Sequence, residues 1–221
     1  MKFKGDQKKG KNFLCYSETW LKNKLVPFVP KSIETYHLTL TTVLWSVLVV
    51  VFSFLAINNI NWLWGVCLMI FFQYITDLLD GEIGRQRKTG LIKWGYYMDH
   101  FLDYIFLCAM LASFFIILPT EYKLYQFFIL AIFGAFMVNS FLSFSTTNEF
   151  QISYLGIGPT EIRIVFIFVF IMHILIGKTF MAQGLPYLLI LATLGLIVQV
   201  YSTQKAIWKI DMKEKSKTKK K

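Results

Sequence analysis

The sequence predicts an all-α, polytopic membrane fold of about six transmembrane helices with an N-terminal interfacial helix. Three observations carry this. Hydrophobic residues make up 56% of the 221 positions and charged residues only 16%. One interrupted and five continuous apolar runs each last about 20 residues, the length that crosses ~30 Å of hydrocarbon. Nothing between the runs is long enough for a soluble domain, and within lipid only helices or closed barrels satisfy the backbone.

Residues 1–37 read as a basic tail followed by an interfacial segment. Lys2, Lys4, Lys8, Lys9 and Lys11 leave the first twelve residues too polar to pack. Residues 13–31 mix aromatics with lysines and end in a proline-containing break, which suits an amphipathic helix lying on the membrane surface. The spanning helices are expected at 38–58, 62–84, 95–119, 124–146, 160–178 and 184–207, within a transmembrane domain covering 38–208. The first run begins too late, and lacks a small-residue cleavage pattern, to be a removable signal peptide. Pro159, Thr160 and the early Glu161 are ordinary helix-start chemistry after a loop holding Gly156 and Gly158. Residues 209–221 form a second lysine-rich tail.

Both tails and the connection carrying Arg85, Arg87, Lys88 and Lys93 are basic, while Asn58–Asn61 bears no charge. The positive-inside rule then places both termini and that connection in the cytoplasm. The net charge of +10 sits in tails beside membrane segments. It fits topology and attraction to anionic head groups of the bilayer, with no nucleic-acid partner. Cys15, Cys67 and Cys108 have neither metal nor disulfide spacing. His37 and His173 lie near or within apolar runs and read as structural.

The informative stretch is DLLDGEIGRQRKTGLIKWGYYMDHFLD, residues 77–103. A carboxylate at bilayer depth costs roughly 2.5–3.5 kcal/mol on insertion scales, and here there are four. Asp77 and Asp80 are three apart and share one helix face; Asp99 and Asp103 are four apart and share another. Two antiparallel neighbours joined by a short connection bring those faces together around one cavity. Without a cation, mutual repulsion would splay the helices. Two divalent ions could neutralise the cluster and still attract a diphosphate, and an oxygen-only donor set favours Mg²⁺, Mn²⁺ or Ca²⁺. Gly81 and Gly95 let a ligand approach the backbone, or serve close helix packing. Arg85, one turn beyond Gly81, is placed to meet phosphate oxygens or to balance the carboxylates. Glu161 and Arg163 lie near the same opening and are candidate acceptor contacts.

Asp77, Asp80, Gly81, Gly84, Arg85, Gly95, Asp99 and Asp103 reproduce the pattern D-x2-D-G-x2-A-R-x8/9-G-x3-D-x3-D, with Gly84 in the place of its alanine. The chain therefore resembles the CDP-alcohol phosphotransferases, membrane enzymes of phospholipid biosynthesis. The resemblance implies that a CDP-linked alcohol binds through its diphosphate to two Mg²⁺ or Mn²⁺ ions. It implies that an acceptor alcohol then displaces CMP, and that either donor or acceptor is a lipid. Asp77, Asp80 and Asp99 would be metal ligands, and Asp103 a ligand or the general base. Gly81, Gly84, Arg85 and Gly95 would line the nucleotide and diphosphate. A homodimer is implied as well. Asp99-His100 is similar to the choline and ethanolamine branch, although His100 points about 100° away from Asp99 on a helix. Two other classes use intramembrane acids. Diphosphate prenyltransferases need two separate Asp-rich motifs, and a cation or proton transporter needs no glycine-arginine framework.

Overall fold

The computed structural model describes residues 15–88, 91–147 and 159–218, and these are helical throughout, without strands. Residues 1–14, 89–90, 148–158 and 219–221, with Gly156 and Gly158 among them, lie outside the described residues. The helices are α1 (Cys15–Leu25), α2 (Thr35–Leu55), α3 (Leu63–Arg87), α4 (Ile92–Ile117), α5 (Lys123–Thr147), α6 (Pro159–Ile176), α7 (Lys178–Ala182) and α8 (Leu185–Thr218). Six of them, α2 to α6 and α8, are long and apolar enough to cross a membrane, as an integral membrane protein requires.

Helix ends follow local chemistry. Glu34 caps α2 reciprocally: its carboxylate accepts from the His37 N–H, and His37 Nδ1 accepts from the Glu34 N–H at 3.0 Å. His37 is thus structural. Lys88, in the left-handed conformation at φ 52°, ends α3. That helix runs to Arg87, three residues past the expected end, and α4 begins three residues before its expected start. The acid pairs therefore sit a turn further inside than the hydropathy edges suggest. At the other extreme α8 continues to Thr218, because lysines are good helix formers even where hydropathy collapses.

Packing is centred on α2, which lies against both α3 and α4. Its buried face, Thr35, Leu38, Thr39, Thr42, Ser46, Val49 and Ser53, is mostly small hydroxyl residues spaced three and four apart. Small residues allow close approach where dispersion rather than hydrophobicity drives association. Gly65 shows how close: a Cβ there would lie 2.8 Å from the Phe52 ring. Ser53 and Ser113 hydrogen-bond across α2 and α4. Val49, Val66, Ile70, Phe106, Phe114 and Phe170 belong to the main core, where Phe114 stacks on Phe170 at 4.3 Å. His173 packs its ring beside Phe114 and bonds the Val169 carbonyl, so it too is structural.

A smaller cluster, Leu38, Leu79 and Ile83 with Val26, Val29 and Ile33 around it, joins the α1–α2 linker to the end of α3. Arg87 locks this corner by donating to four linker carbonyls, those of Val29, Pro30, Lys31 and Ile33. The first helix, α1, packs on α3, and Glu18 accepts a hydrogen bond from Thr160 at the start of α6. Both contacts gather at the end of the bundle that carries the acids.

Candidate active site

Helical periodicity does bring the acid pairs together. The α3–α4 connection is only four residues, 88–91, and α2 packs against both helices, so their acid-bearing ends meet beside α2. Carboxylate oxygens of Asp77, Asp80 and Asp99 all lie within 4.8 Å of one another. Such a trio could hold a metal ion, and an all-carboxylate set suits a hard divalent cation such as Mg²⁺ or Mn²⁺. Asp80 is the buried member, while Asp77 and Asp99 are partly open to the outside.

Asp80 is held from α2. The Thr39 hydroxyl lies 2.9 Å from Asp80 Oδ2, and the Thr35 hydroxyl donates to the Asp80 backbone carbonyl at 2.7 Å. Neither threonine stood out in the sequence, where both merge into an apolar run. The signal that could have found them is the three-and-four spacing of Thr35, Thr39, Thr42 and Ser46 along one face.

Asp103 takes a separate place. Arg163, buried on the second turn of α6, donates Nη2 to Asp103 Oδ1 at 3.1 Å and to Asp77 Oδ2 at 2.9 Å. One guanidinium thus ties α6 to both α3 and α4 and balances two carboxylates of the cluster. Breaking a buried pair by removing one partner typically costs 3–5 kcal/mol, so this bridge is structural as well as electrostatic. The sequence placed Arg163 near the opening as an acceptor contact; the structure gives it to the acids. Glu161 lies on the first turn of α6, near that opening.

Arg85 turns the other way. It pairs with Glu82 at 2.7 Å, with its side chain 63% exposed. Gly81 and Gly95 face open space: a Cβ at Gly95 would meet nothing within 4 Å, and one at Gly81 only the Arg85 guanidinium at 3.6 Å. Gly84 instead faces inward onto Thr35. His100 bonds the Tyr96 carbonyl at 2.9 Å, packs its ring tilted against Tyr96 and lies 3.6 Å from Asp99 Oδ2. Its ring supports the start of α4 from behind the acids.

Comparison with curated proteins and with solved structures found no match. A family model does match: that of the CDP-alcohol phosphatidyltransferases, over residues 36–201, a stretch that takes in the acid cluster, Arg163 and most of all six spanning helices. The chain belongs to the CDP-alcohol phosphatidyltransferase family.

Proposed function

We propose that this protein transfers a substituted phosphate from a CDP-alcohol to an acceptor alcohol and releases CMP, by direct displacement at the acid cluster. The observation that carries the reading is the clustering of Asp77, Asp80 and Asp99 within 4.8 Å beside an arginine-held Asp103, in a chain of this family. Asp77, Asp80 and Asp99 would hold Mg²⁺ or Mn²⁺, two ions per site. When bound, divalent cations offset charge on the diphosphate and on the departing CMP. The open backbone at Gly81 and Gly95 admits the donor to the cluster. Arg85 completes the wall of this nucleotide site, free to swing from Glu82 on an exposed stem, while Gly84 supports that wall from inside against Thr35.

Asp103 is the general base. Arg163 fixes one of its oxygens and so aims the carboxylate. The acceptor oxygen attacks the phosphorus remote from cytidine, and its proton passes to Asp103. One P–O bond forms as the bond to the CMP phosphate breaks, and CMP leaves with that oxygen. Glu161 lines the acceptor's approach, while Arg163 acts on the acceptor through Asp103.

The basic tails and the α3–α4 connection support a cytoplasmic site with both termini cytoplasmic, and the protein works as a homodimer in the bilayer. The domain boundaries follow: an N-terminal tail and interfacial segment at 1–37, the catalytic transmembrane domain at 38–208, and a lysine-rich tail from 209 onward. Cysteines at Lys88 and Asn59 should label from opposite sides of a sealed vesicle; labelling from one side refutes this orientation. The activity is tested by presenting detergent-solubilised protein and Mn²⁺ with two donor sets. One is CDP-diacylglycerol with inositol, serine or glycerol phosphate, and the other CDP-choline or CDP-ethanolamine with diacylglycerol. CMP release with a matching lipid product in one arm supports the reading, and no CMP in any arm refutes it.

A further inference from the structure

Asp80 is the most buried of the four acids, and two hydroxyls on one face of α2 hold its carboxylate and its backbone carbonyl. We infer that Thr39 and Thr35 are positioning residues that set the Asp80 carboxylate for metal binding, and that Gly84 is small to make room for Thr35. The inference rests on the metal reading above but concerns side chains that touch neither metal nor substrate.

The geometry is specific. Thr35 and Thr39 are one turn apart and buried at 9% and 4% exposure, so their hydroxyls face α3 rather than lipid. Thr39 Oγ1 has two acceptors in reach, Asp80 Oδ2 at 2.9 Å and the Thr35 carbonyl at 3.1 Å. One hydroxyl carries one proton, and an ionised carboxylate is the stronger acceptor. The Thr35 carbonyl already has its helical partner, so the proton goes to Asp80. That bond fixes the rotation of the carboxylate that shares the cluster with Asp77 and Asp99. Thr35 fixes the backbone under the same residue through the Asp80 carbonyl at 2.7 Å. Groups that orient a ligating carboxylate in this way typically change metal affinity by about 10–100-fold when removed.

Gly84 belongs to the same device. A Cβ there would lie 3.3 Å from Thr35 Oγ1 and 3.6 Å from Thr35 Cβ, tighter than ordinary contact at the hydroxyl. A methyl would push Thr35 away from the Asp80 carbonyl. The glycine at this position, where the motif has alanine, is therefore paired with the threonine opposite.

The test is Mn²⁺ affinity, read by titration of the unfolding midpoint and by electron paramagnetic resonance of free Mn²⁺, on full-length protein in detergent. Thr39→Val should raise the Mn²⁺ dissociation constant by about 10-fold or more, and Thr39→Ser should restore it. Gly84→Ala should weaken Mn²⁺ in the wild-type background and have no further effect in Thr35→Ala. Wild-type affinity in Thr39→Val overturns the inference. So does a Thr39→Ser as weak as Thr39→Val, because the loss is then one of packing. Additive losses for Gly84→Ala and Thr35→Ala overturn the pairing. A wild type that binds Mn²⁺ but releases no CMP from any CDP-alcohol refutes the transferase reading and leaves the positioning role standing. A wild type that binds no Mn²⁺ overturns both.

Discussion

Helices α3 and α4 bury 44% and 50% of their most apolar windows inside the protein, whereas α5 and α8 bury 11% and 6%. Both regions carry polar side chains within spanning segments. In the inner region they include charges, four carboxylates and one buried arginine, with the neutral threonines of α2 set against them. Along the seam between α5 and α8 they are neutral, with Asn139 donating to Thr203 at 3.3 Å beside Ser143, Thr146 and Gln204. A neutral amide and hydroxyl can satisfy each other across a two-helix seam at little cost. Charges need several helices around them to shut out lipid and supply counter-ions. The carboxylate cluster is therefore confined to the region that is wrapped on most sides, and α5 packs along its α4 edge.

The sharpest way to break this contrast is at Asp80. Asp80→Asn should bring CMP release down to background and abolish Mn²⁺ binding together, and EDTA should do the same to the wild type until Mg²⁺ or Mn²⁺ is returned. Full turnover in a metal-stripped preparation would dissolve the distinction between the two regions. Asp103→Asn comes next. It keeps size and one oxygen but cannot take the acceptor proton, so transfer should fall by about 10²–10⁴ while CDP-alcohol still binds. Recovery of near wild-type turnover by excess Mg²⁺ would make Asp103 a ligand only.

Arg163→Met should act mainly on stability, by about 3–5 kcal/mol, since it leaves Asp77 and Asp103 facing each other without the guanidinium. The unfolding midpoint in chelator should drop, and Mn²⁺ should return part of the loss. An unchanged midpoint would reduce the bridge to the worth of a surface ion pair. Smallest of all is Asn139→Leu in the outer pair. An interhelical bond of this kind averages about 0.6 kcal/mol, and CMP release should not change. A tenfold fall in activity would show that the outer seam takes part in the chemistry.

The spanning helices were legible because hydropathy and length report the lipid environment directly, and all six lie where the apolar runs place them. The acid pairs were legible because spacings of three and four fix a common face whatever surrounds it. The edges were less so: Lys88 ends α3 by its left-handed backbone, and α8 runs on through its lysines, and neither event is written in hydropathy. Partners across the bundle were hidden. Arg163 lies 60 residues from Asp103, and Thr39 lies 41 from Asp80, separations at which no local rule applies. Arg85 illustrates the converse. Its place in the motif suggests phosphate oxygens or the carboxylates, and the structure adds a local partner, Glu82, one turn away on the same helix.

The four-residue connection between α3 and α4 also orders the protein's birth. All four carboxylates lie on the two helices that this connection joins, so they are made within one short stretch of chain. Arg163 is synthesised 60 residues after Asp103, which at 5–20 residues per second is a delay of about 3–12 s. For that interval Asp77 and Asp103 exist in the membrane without their guanidinium. The bridge from Arg163 to both carboxylates can therefore close only after α6 has been made.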